Sequence, residues 1–538
     1  MTLNTSQKML LLALFIGAAL RVPGWFTEEE MARWRLFEVD EEQHVAIAMH
    51  RFNELNQGQD TIWHLFREPS YNVRGYAYVN ATIAHVWYRI FRQAPNFGDT
   101  VLLGRQMSTL YALLLIIVVF YLGRASGLSP PFAGVAALLM ASCDVNATYS
   151  HYCLPASGYI LFAWLALLGG VRLIRGPSWR SLGMLAMGAA GAAVFKFDIF
   201  PLVWGGLLLI LLSLRGAGDH NPNRIGISWY FLPAGTVLLG SLLLILTIGW
   251  SWEEIVYSFE TLRKVNRDVI RSEDHFRDNL LTYPMGVLAG IGLPAFCLAA
   301  WTALGITRRR VTNFGKFWSF SNLAVAYILG YLLTEFMVRW YMDTTFIRRV
   351  NVFMPAVALL AAYGLQRLGA KPWLAALVVA WSLGLGIVGQ SHHWFDTRIA
   401  MRDWVNKELP KPAKVGISAS INIDGMDNWK YYLNYDWEYF VIHEAFYRRY
   451  TKSMTTPFGV PECCNGVYHC GPVDQCLDFQ TMLLGQRDDL ILVKAFRTWD
   501  VFPERLLYHH FFGYYETFLG DVKIYQRVKP KKAERSTS

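Results

Sequence analysis

The residues best placed to do chemistry in this 538-residue chain are an acidic knot, Asp40-Glu41-Glu42, with His44 one helical turn beyond Asp40. A carboxylate held beside a reacting group can take the proton from an attacking hydroxyl or amine. The same cluster would also suit a solvated turn, or a helix start where carboxylates complement the dipole. Cations stand elsewhere in the chain: the pair Arg348-Arg349, and Lys196 two residues before Asp198. An arginine pair at the outer end of a membrane span either snorkels toward head groups or grips a phosphate, which guanidinium does through bidentate contacts. Lys196 can pair with Asp198 or join the arginines. His151 opens another turn, where it either contacts a substrate or is an interfacial histidine.

The elements that must hold these residues follow from composition. Hydrophobic residues make up 54% of the chain, aromatics 15% and charged residues only 17%, with 20 Trp and a mean hydropathy of +0.24. That exceeds what a soluble core of this length needs and fixes an integral membrane protein. The net charge of +9 sits in short clusters between apolar runs, as the positive-inside rule places it, which excludes a nucleic-acid partner. Runs long enough to cross a bilayer are about eleven. They lie at Met9 to Phe26, Val101 to Gly123, Pro131 to Ala147, Tyr152 to Leu173, Ser181 to Lys196, Phe200 to Leu214, Trp229 to Trp250, Tyr283 to Ile306, Phe317 to Val338, Val350 to Leu368 and Trp373 to Gln390. The first lacks a small-residue cleavage site close behind it and reads as a retained span. The mid-span regions read as nearly free of charge.

Putting the amino terminus in the cytoplasm collects Lys8, Arg124, Arg172, Arg175, Arg180, Arg215, Arg224, Arg308, Arg309, Arg310, Lys316, Arg367 and Lys371 on the inner side. Residues 27–100, with the acidic motif, then lie outside, as do residues 251–282, whose dense charges suggest an amphipathic segment on the membrane surface. The expected organisation is a transmembrane domain over residues 1–395 and an extracytoplasmic α/β domain over residues 396–538. In the latter, strand-like stretches (Lys414 to Ser418, Leu490 to Val493, Val522 to Arg527) alternate with a helical pattern at Thr397 to Glu408. Four of the seven cysteines, Cys463, Cys464, Cys470 and Cys476, crowd into this domain. Outside the cytoplasm they suggest two disulfides, with the pairing open. The adjacent Cys463-Cys464 does not match the paired-ligand spacing of a zinc site.

A span ending in Leu20-Arg21, the outer Asp40-Glu41 pair and the run Ser150-His151-Tyr152 before Leu154-Pro155-Ala156 together resemble the GT-C superfamily of polyprenyl-phosphate-sugar-dependent glycosyltransferases. Within it the chain resembles the branch of the protein O-mannosyltransferases and lipid A aminoarabinose transferases. The small-residue run Gly191 to Lys196 and the stretch Arg348 to Gly364 agree. Three positions depart from the branch: Arg349 stands where Tyr is common, Val352 replaces the first Pro of that late motif, and Ser157 stands where many relatives carry an acidic residue, so no metal or acceptor role passes to Ser157.

The resemblance implies a polytopic α-helical enzyme of the bacterial inner membrane or the ER membrane, with its active site outside. It implies transfer of a sugar, hexosyl or pentosyl, from a polyprenyl-phosphate donor to a protein, lipid or glycan acceptor, with inversion. Asp40 would be the base, with Glu41 orienting it, tuning its pKa or contacting the acceptor. Arg348, Arg349 and Lys196 would hold the donor phosphate, with His44 and His151 as supporting groups. A divalent metal stays open. The competing classes are a polytopic transporter and a non-enzymatic envelope assembly factor.

Overall fold

In the computed structural model of the chain the described residues are 4–33, 45–50, 52–53, 74–91, 96–176, 178–196, 200–217, 283–311, 320–342, 347–411, 413–418, 437–444, 481–512 and 519–528. They fall into two units: Met1–Trp25 with Asp40–Gln390, and Phe26–Val39 with Ser391–Ser538. The division thus falls at Gln390 and Ser391, ahead of the expected boundary at residue 395, and Phe26–Val39 groups with the second unit.

The first unit is helical. Its elements are α1 (Thr5–Arg33) as far as Trp25, α2 (Arg74–Phe91), α3 (Phe97–Ala125), α4 (Pro130–Ala141), α5 (Asp144–Ser150), α6 (Ala156–Arg175), α7 (Trp179–Lys196), α8 (Phe200–Ala217), α9 (Leu293–Val311), α10 (Phe320–Met342), a 3-10 helix (Ile347–Phe353), α11 (Met354–Arg367) and α12 (Pro372–Trp394) as far as Gln390. Local chemistry sets several ends. Asn96 caps α3 by accepting from the Asp99 N–H at 2.9 Å while the Asp99 carboxylate accepts from the Asn96 N–H at 3.1 Å, a reciprocal box that satisfies two orphan donors. Past its far end Gly127 takes φ +99, open to glycine without a Cβ penalty, and Leu128 N–H reaches back to the Gly123 carbonyl at 2.9 Å. Pro130 and Pro131 then start α4, where the missing N–H costs nothing.

Among the described residues four stretches are long and apolar enough to cross a membrane: Thr5–Phe26, Phe97–Ala125, Ala156–Arg175 and Pro372–Glu408. A fifth arises if α4 and α5, bent by 54° across Ser142-Cys143, form one broken span. The expected span Pro131 to Ala147 is therefore interrupted. So is Tyr283 to Ile306, which breaks at Gly292 with φ +87. The expected span Trp229 to Trp250 lies outside the described residues.

The tightest packing joins α6 and α7. A Cβ at Gly169 would stand 2.4 Å from Leu185 N, and one at Gly188 would stand 2.3 Å from Ala166 N. Backbones that close need small residues, the usual device for helix association where no hydrophobic force acts between helices.

The second unit carries α13 (Thr397–Glu408), β1 (Val415–Ile417), β2 (Tyr439–His443), β3 (Leu490–Phe496), α14 (Pro503–Phe512) and β4 (Val522–Arg527). The sheet order is β1-β2-β4-β3, with β1 parallel to β2 and the other neighbours antiparallel. Met401, Val405 and Leu409 of α13 and its end pack with Ile417, Val441, Val522 and Ile524. Asp396 caps α13 by accepting from the Arg398 N–H at 2.8 Å. Strand β2 was not expected: all five of its residues are buried, so its sequence lacks the alternation that marks a half-exposed strand.

Candidate functional site

The break between α4 and α5 creates two helix ends inside an apolar bundle. At the end of α4 the last carbonyls have no intrahelical partner and carry partial negative charge; at the start of α5 the polarity is reversed. The chain answers with a cation at one and an anion at the other. Arg21 of α1, fully buried, donates from Nη1 to the Ala141 carbonyl at 3.2 Å and to the Gly17 carbonyl at 2.9 Å. Asp144 is the first residue of α5, and its Oδ1 accepts from Thr148 Oγ1 at 3.4 Å and from Gln390 Nε2 at 3.2 Å.

From these two charges a buried polar network spreads. Arg21 Nη2 donates to Asn146 Oδ1 at 2.9 Å, and Asn146 Nδ2 donates to Asn351 Oδ1 at 3.2 Å. Gln390 of α12 donates to Asp144, so its Oε1 faces His151 Nε2 at 2.8 Å and that nitrogen carries the proton. The His151 ring lies so close to Gly24 of α1 that a Cβ there would stand 2.5 Å from its Cε1. Thr109 of α3 donates to the Ser150 carbonyl at 3.1 Å, and Trp164 of α6 donates to the Val352 carbonyl at 3.0 Å. Beside it Tyr76 OH bonds Ser108 Oγ at 3.2 Å and reaches Cys153 Sγ at 3.5 Å.

These contacts join the middle parts of α1, α3 and α6, the break itself, the 3-10 helix and the last turns of α12 in one buried layer. The end of α7 belongs to the same layer, because Phe195 stands with ring centroids 6.0 Å from Tyr76, 5.4 Å from Tyr111 and 5.1 Å from Phe162.

The expected site residues meet this layer unevenly. Asp40, Glu41 and His44 lie outside the described residues. The backbones of Arg348 and Arg349 fall in the 3-10 helix that also carries Asn351, and Lys196 is the last residue of α7, directly after Phe195. His151 is buried and bonded to Gln390. Residues that the sequence reading missed are Asp144, Asn146, Asn351 and Gln390, and Arg21 was used there only as a marker of resemblance. Toward the ends of the expected spans, outside the mid-span regions expected to be nearly free of charge, the structure buries Arg21, Arg105, Asp144 and Glu335. The available signal was an ionisable residue within an apolar run, which is costly enough to mark function or structure by default. Asn80 and Asn146 begin sequon-like triplets, but both side chains are buried, which removes them as glycan acceptors.

No disulfide occurs among the described residues: Cys143 and Cys153 are buried thiols and Cys297 is an exposed one, while Cys463, Cys464, Cys470 and Cys476 lie outside them. Among the described residues no group of three His, Cys, Asp or Glu side chains could hold a metal ion. The second unit has a polar cluster of its own. Glu444 Oε1 meets His509 Nε2 at 2.7 Å and its Oε2 accepts from the Asp521 N–H at 3.0 Å; burial and the Glu444 charge hold the Asp521 carboxyl above the usual range.

Among solved structures the chain is similar to the Archaeoglobus fulgidus oligosaccharyltransferase in its apo form, with 12% identity and a TM-score of 0.47 over 97% of this chain and 89% of that one. It is also similar to ArnT from Cupriavidus metallidurans bound to undecaprenyl phosphate, with 13% identity and a TM-score of 0.45 over 77% of this chain and 83% of that one. A shorter likeness is to the S. cerevisiae protein O-mannosyltransferase Pmt1-Pmt2 complex bound to the sugar donor, with 16% identity and a TM-score of 0.36 over 47% of this chain and 34% of that one. These neighbours are GT-C glycosyltransferases. No protein-family model and no curated protein matches the sequence.

Proposed function

We propose that the chain is a membrane glycosyltransferase that moves a sugar from a polyprenyl-phosphate donor to an acceptor outside the cytoplasm. The acceptor oxygen or nitrogen attacks the anomeric carbon, the bond from that carbon to the phosphate oxygen breaks, and the acceptor proton passes to the Asp40 carboxylate. Glu41 orients Asp40. Arg348, Arg349 and Lys196 stabilise the polyprenyl phosphate as charge builds on it. In this reading the amino terminus is cytoplasmic, about eleven spans cross the bilayer, and the carboxyl-terminal unit lies outside.

One observation supports the reading above the others. The last turn of α7, which ends in Lys196, and the 3-10 helix that carries Arg348 and Arg349 both contribute to a single buried polar layer of the first unit. The test is a reconstituted assay with labelled polyprenyl-phosphate sugars. Asp40→Asn keeps volume and most hydrogen bonding but cannot take the proton, so transfer is expected to slow by about 10² to 10⁴-fold with folding intact. Glu41→Gln is expected to do less harm. Full activity in folded Asp40→Asn refutes the base assignment.

The broken α4–α5 pair with Arg21 and Asp144 buried at its ends favours a second reading, because secondary transporters build their sites from interrupted helices. A wild-type protein that transfers no sugar but moves solute across a sealed vesicle would establish it.

A further inference from the structure

Arginine only donates hydrogen bonds, and this fixes the orientation of two amides in sequence. Because Arg21 Nη2 donates to Asn146, the oxygen of that amide must face Arg21 at 2.9 Å. The nitrogen of Asn146 is thereby turned to Asn351, 3.2 Å away, and Asn351 must meet it with its own oxygen. The Asn351 nitrogen is left pointing away from the relay. It is a fully buried donor with no hydrogen-bond partner among the described residues. Such a group costs about 1 to 3 kcal/mol when nothing accepts from it, and asks for an acceptor.

Its place in the chain indicates which acceptor. Asn351 stands three residues after Arg348, one turn on in the same 3-10 helix. We infer that Asn351 is a donor-binding residue whose Nδ2 donates to a phosphate oxygen of the polyprenyl-phosphate substrate, its orientation set by the buried Arg21 through Asn146. This rests on the sugar-transfer reading and on the role of Arg348 in it. The relay gives the site a neutral, directional donor beside its charges, held by a cation that need not touch the substrate.

The relay can be reversed without touching residue 351. Asn146→Asp still accepts from Arg21, now as an ion pair, but has no N–H for Asn351. Asn351 then turns over to donate to the introduced carboxylate, and its oxygen faces where the nitrogen stood. Asn351→Asp puts an oxygen there directly while still accepting from Asn146.

The experiment measures binding of farnesyl phosphate and of farnesol to the full-length protein in detergent, with melting temperature alongside. Wild type binds farnesyl phosphate. Asn351→Asp and Asn146→Asp each weaken it by about 10-fold or more, the size of a lost hydrogen bond to a charged group. Farnesol binding stays as in wild type, and Asn146→Asp melts no lower, which a merely structural role for the amides would not produce. Farnesyl phosphate bound by either folded variant as tightly as by wild type overturns the assignment of Asn351. Wild type that fails to bind farnesyl phosphate overturns the sugar-transfer reading itself, and the inference with it.

Discussion

Replacing Arg21 by Met keeps a long flexible side chain in the same space and removes the guanidinium that closes the α4–α5 break. The bond to the Gly17 carbonyl, four residues back in the same helix, costs little to lose, because that carbonyl keeps its place in the helix ladder. The other two bonds hold the cost: the Ala141 carbonyl and the Asn146 amide oxygen would each be left buried and short of a donor. A buried group stranded in this way costs about 1 to 3 kcal/mol, while hydrogen bonds measured between helices within membranes average about 0.6 and reach about 1.7 kcal/mol. Taking the overlap, two lost bonds come to about 2 to 3 kcal/mol. The favourable placement of a cation at the end of α4 adds up to about 1 kcal/mol. Arg21→Met is therefore expected to destabilise the first unit by about 3 kcal/mol, and Arg21→Lys by less, since an ammonium can still reach one carbonyl. Equilibrium unfolding in mixed detergent and SDS micelles, followed by tryptophan fluorescence, reads the difference. A midpoint for Arg21→Met equivalent to a change of less than about 0.5 kcal/mol would show that the break is held by other contacts, and would also remove the anchor of the Asn146–Asn351 relay.

Further predictions concern packing and pH. Gly188→Val is expected to cost about 1 to 3 kcal/mol, because its Cβ would stand 2.3 Å from one backbone atom and 2.6 Å from another on α6, so the helices must part. Gly183→Ala, on the same helix with open space around it among the described residues, is expected to be neutral or to stabilise by up to about 1 kcal/mol; equal melting of the two variants would refute the close-approach argument. In the second unit burial pushes His443 down to about 4, the Arg398 guanidinium acting in the same direction and the Asp396 and Glu444 carboxylates against it. The unfolded chain then binds more protons than the folded one between pH 6.5 and about 4, so the contribution is full above 6.5 and is lost as pH falls through that window, by up to about 3 kcal/mol. Protection factors of the β2 amides, corrected for the slower intrinsic exchange at low pH, should fall over that range in wild type and do so much less in His443→Gln; identical pH profiles would mean that another group drives the opening.

Helix positions were legible because they depend on local quantities. The apolar runs at Met9 to Phe26, Val101 to Gly123 and Tyr152 to Leu173 lie over α1, α3 and α6, since a run of that length has few ways to satisfy its backbone in an apolar setting except as helix. Thr397 to Glu408 likewise coincides with α13, its 3.6-residue pattern being a property of the segment alone. The break at Ser142-Cys143 was not legible: the residues on both sides are apolar enough to continue a span, and only partners elsewhere in the chain make an interruption tolerable. Strand β2 was missed for a related reason, since burial on both faces erases the alternation that distinguishes a strand.

The sequence by itself determined that this is a membrane protein of many helices, and which carboxylates and arginines are candidates for chemistry. Those conclusions rest on composition and on spacing within a segment. Tertiary structure decided what the buried polar residues are for. Arg21 finds the Ala141 carbonyl 120 residues away, Asn146 finds Asn351 at 205 and His151 finds Gln390 at 239. An asparagine read alone can present oxygen or nitrogen in either direction. Only the fixed polarity of a guanidinium, brought to it by the packing of α1 against the break, settles which atom is left for a ligand.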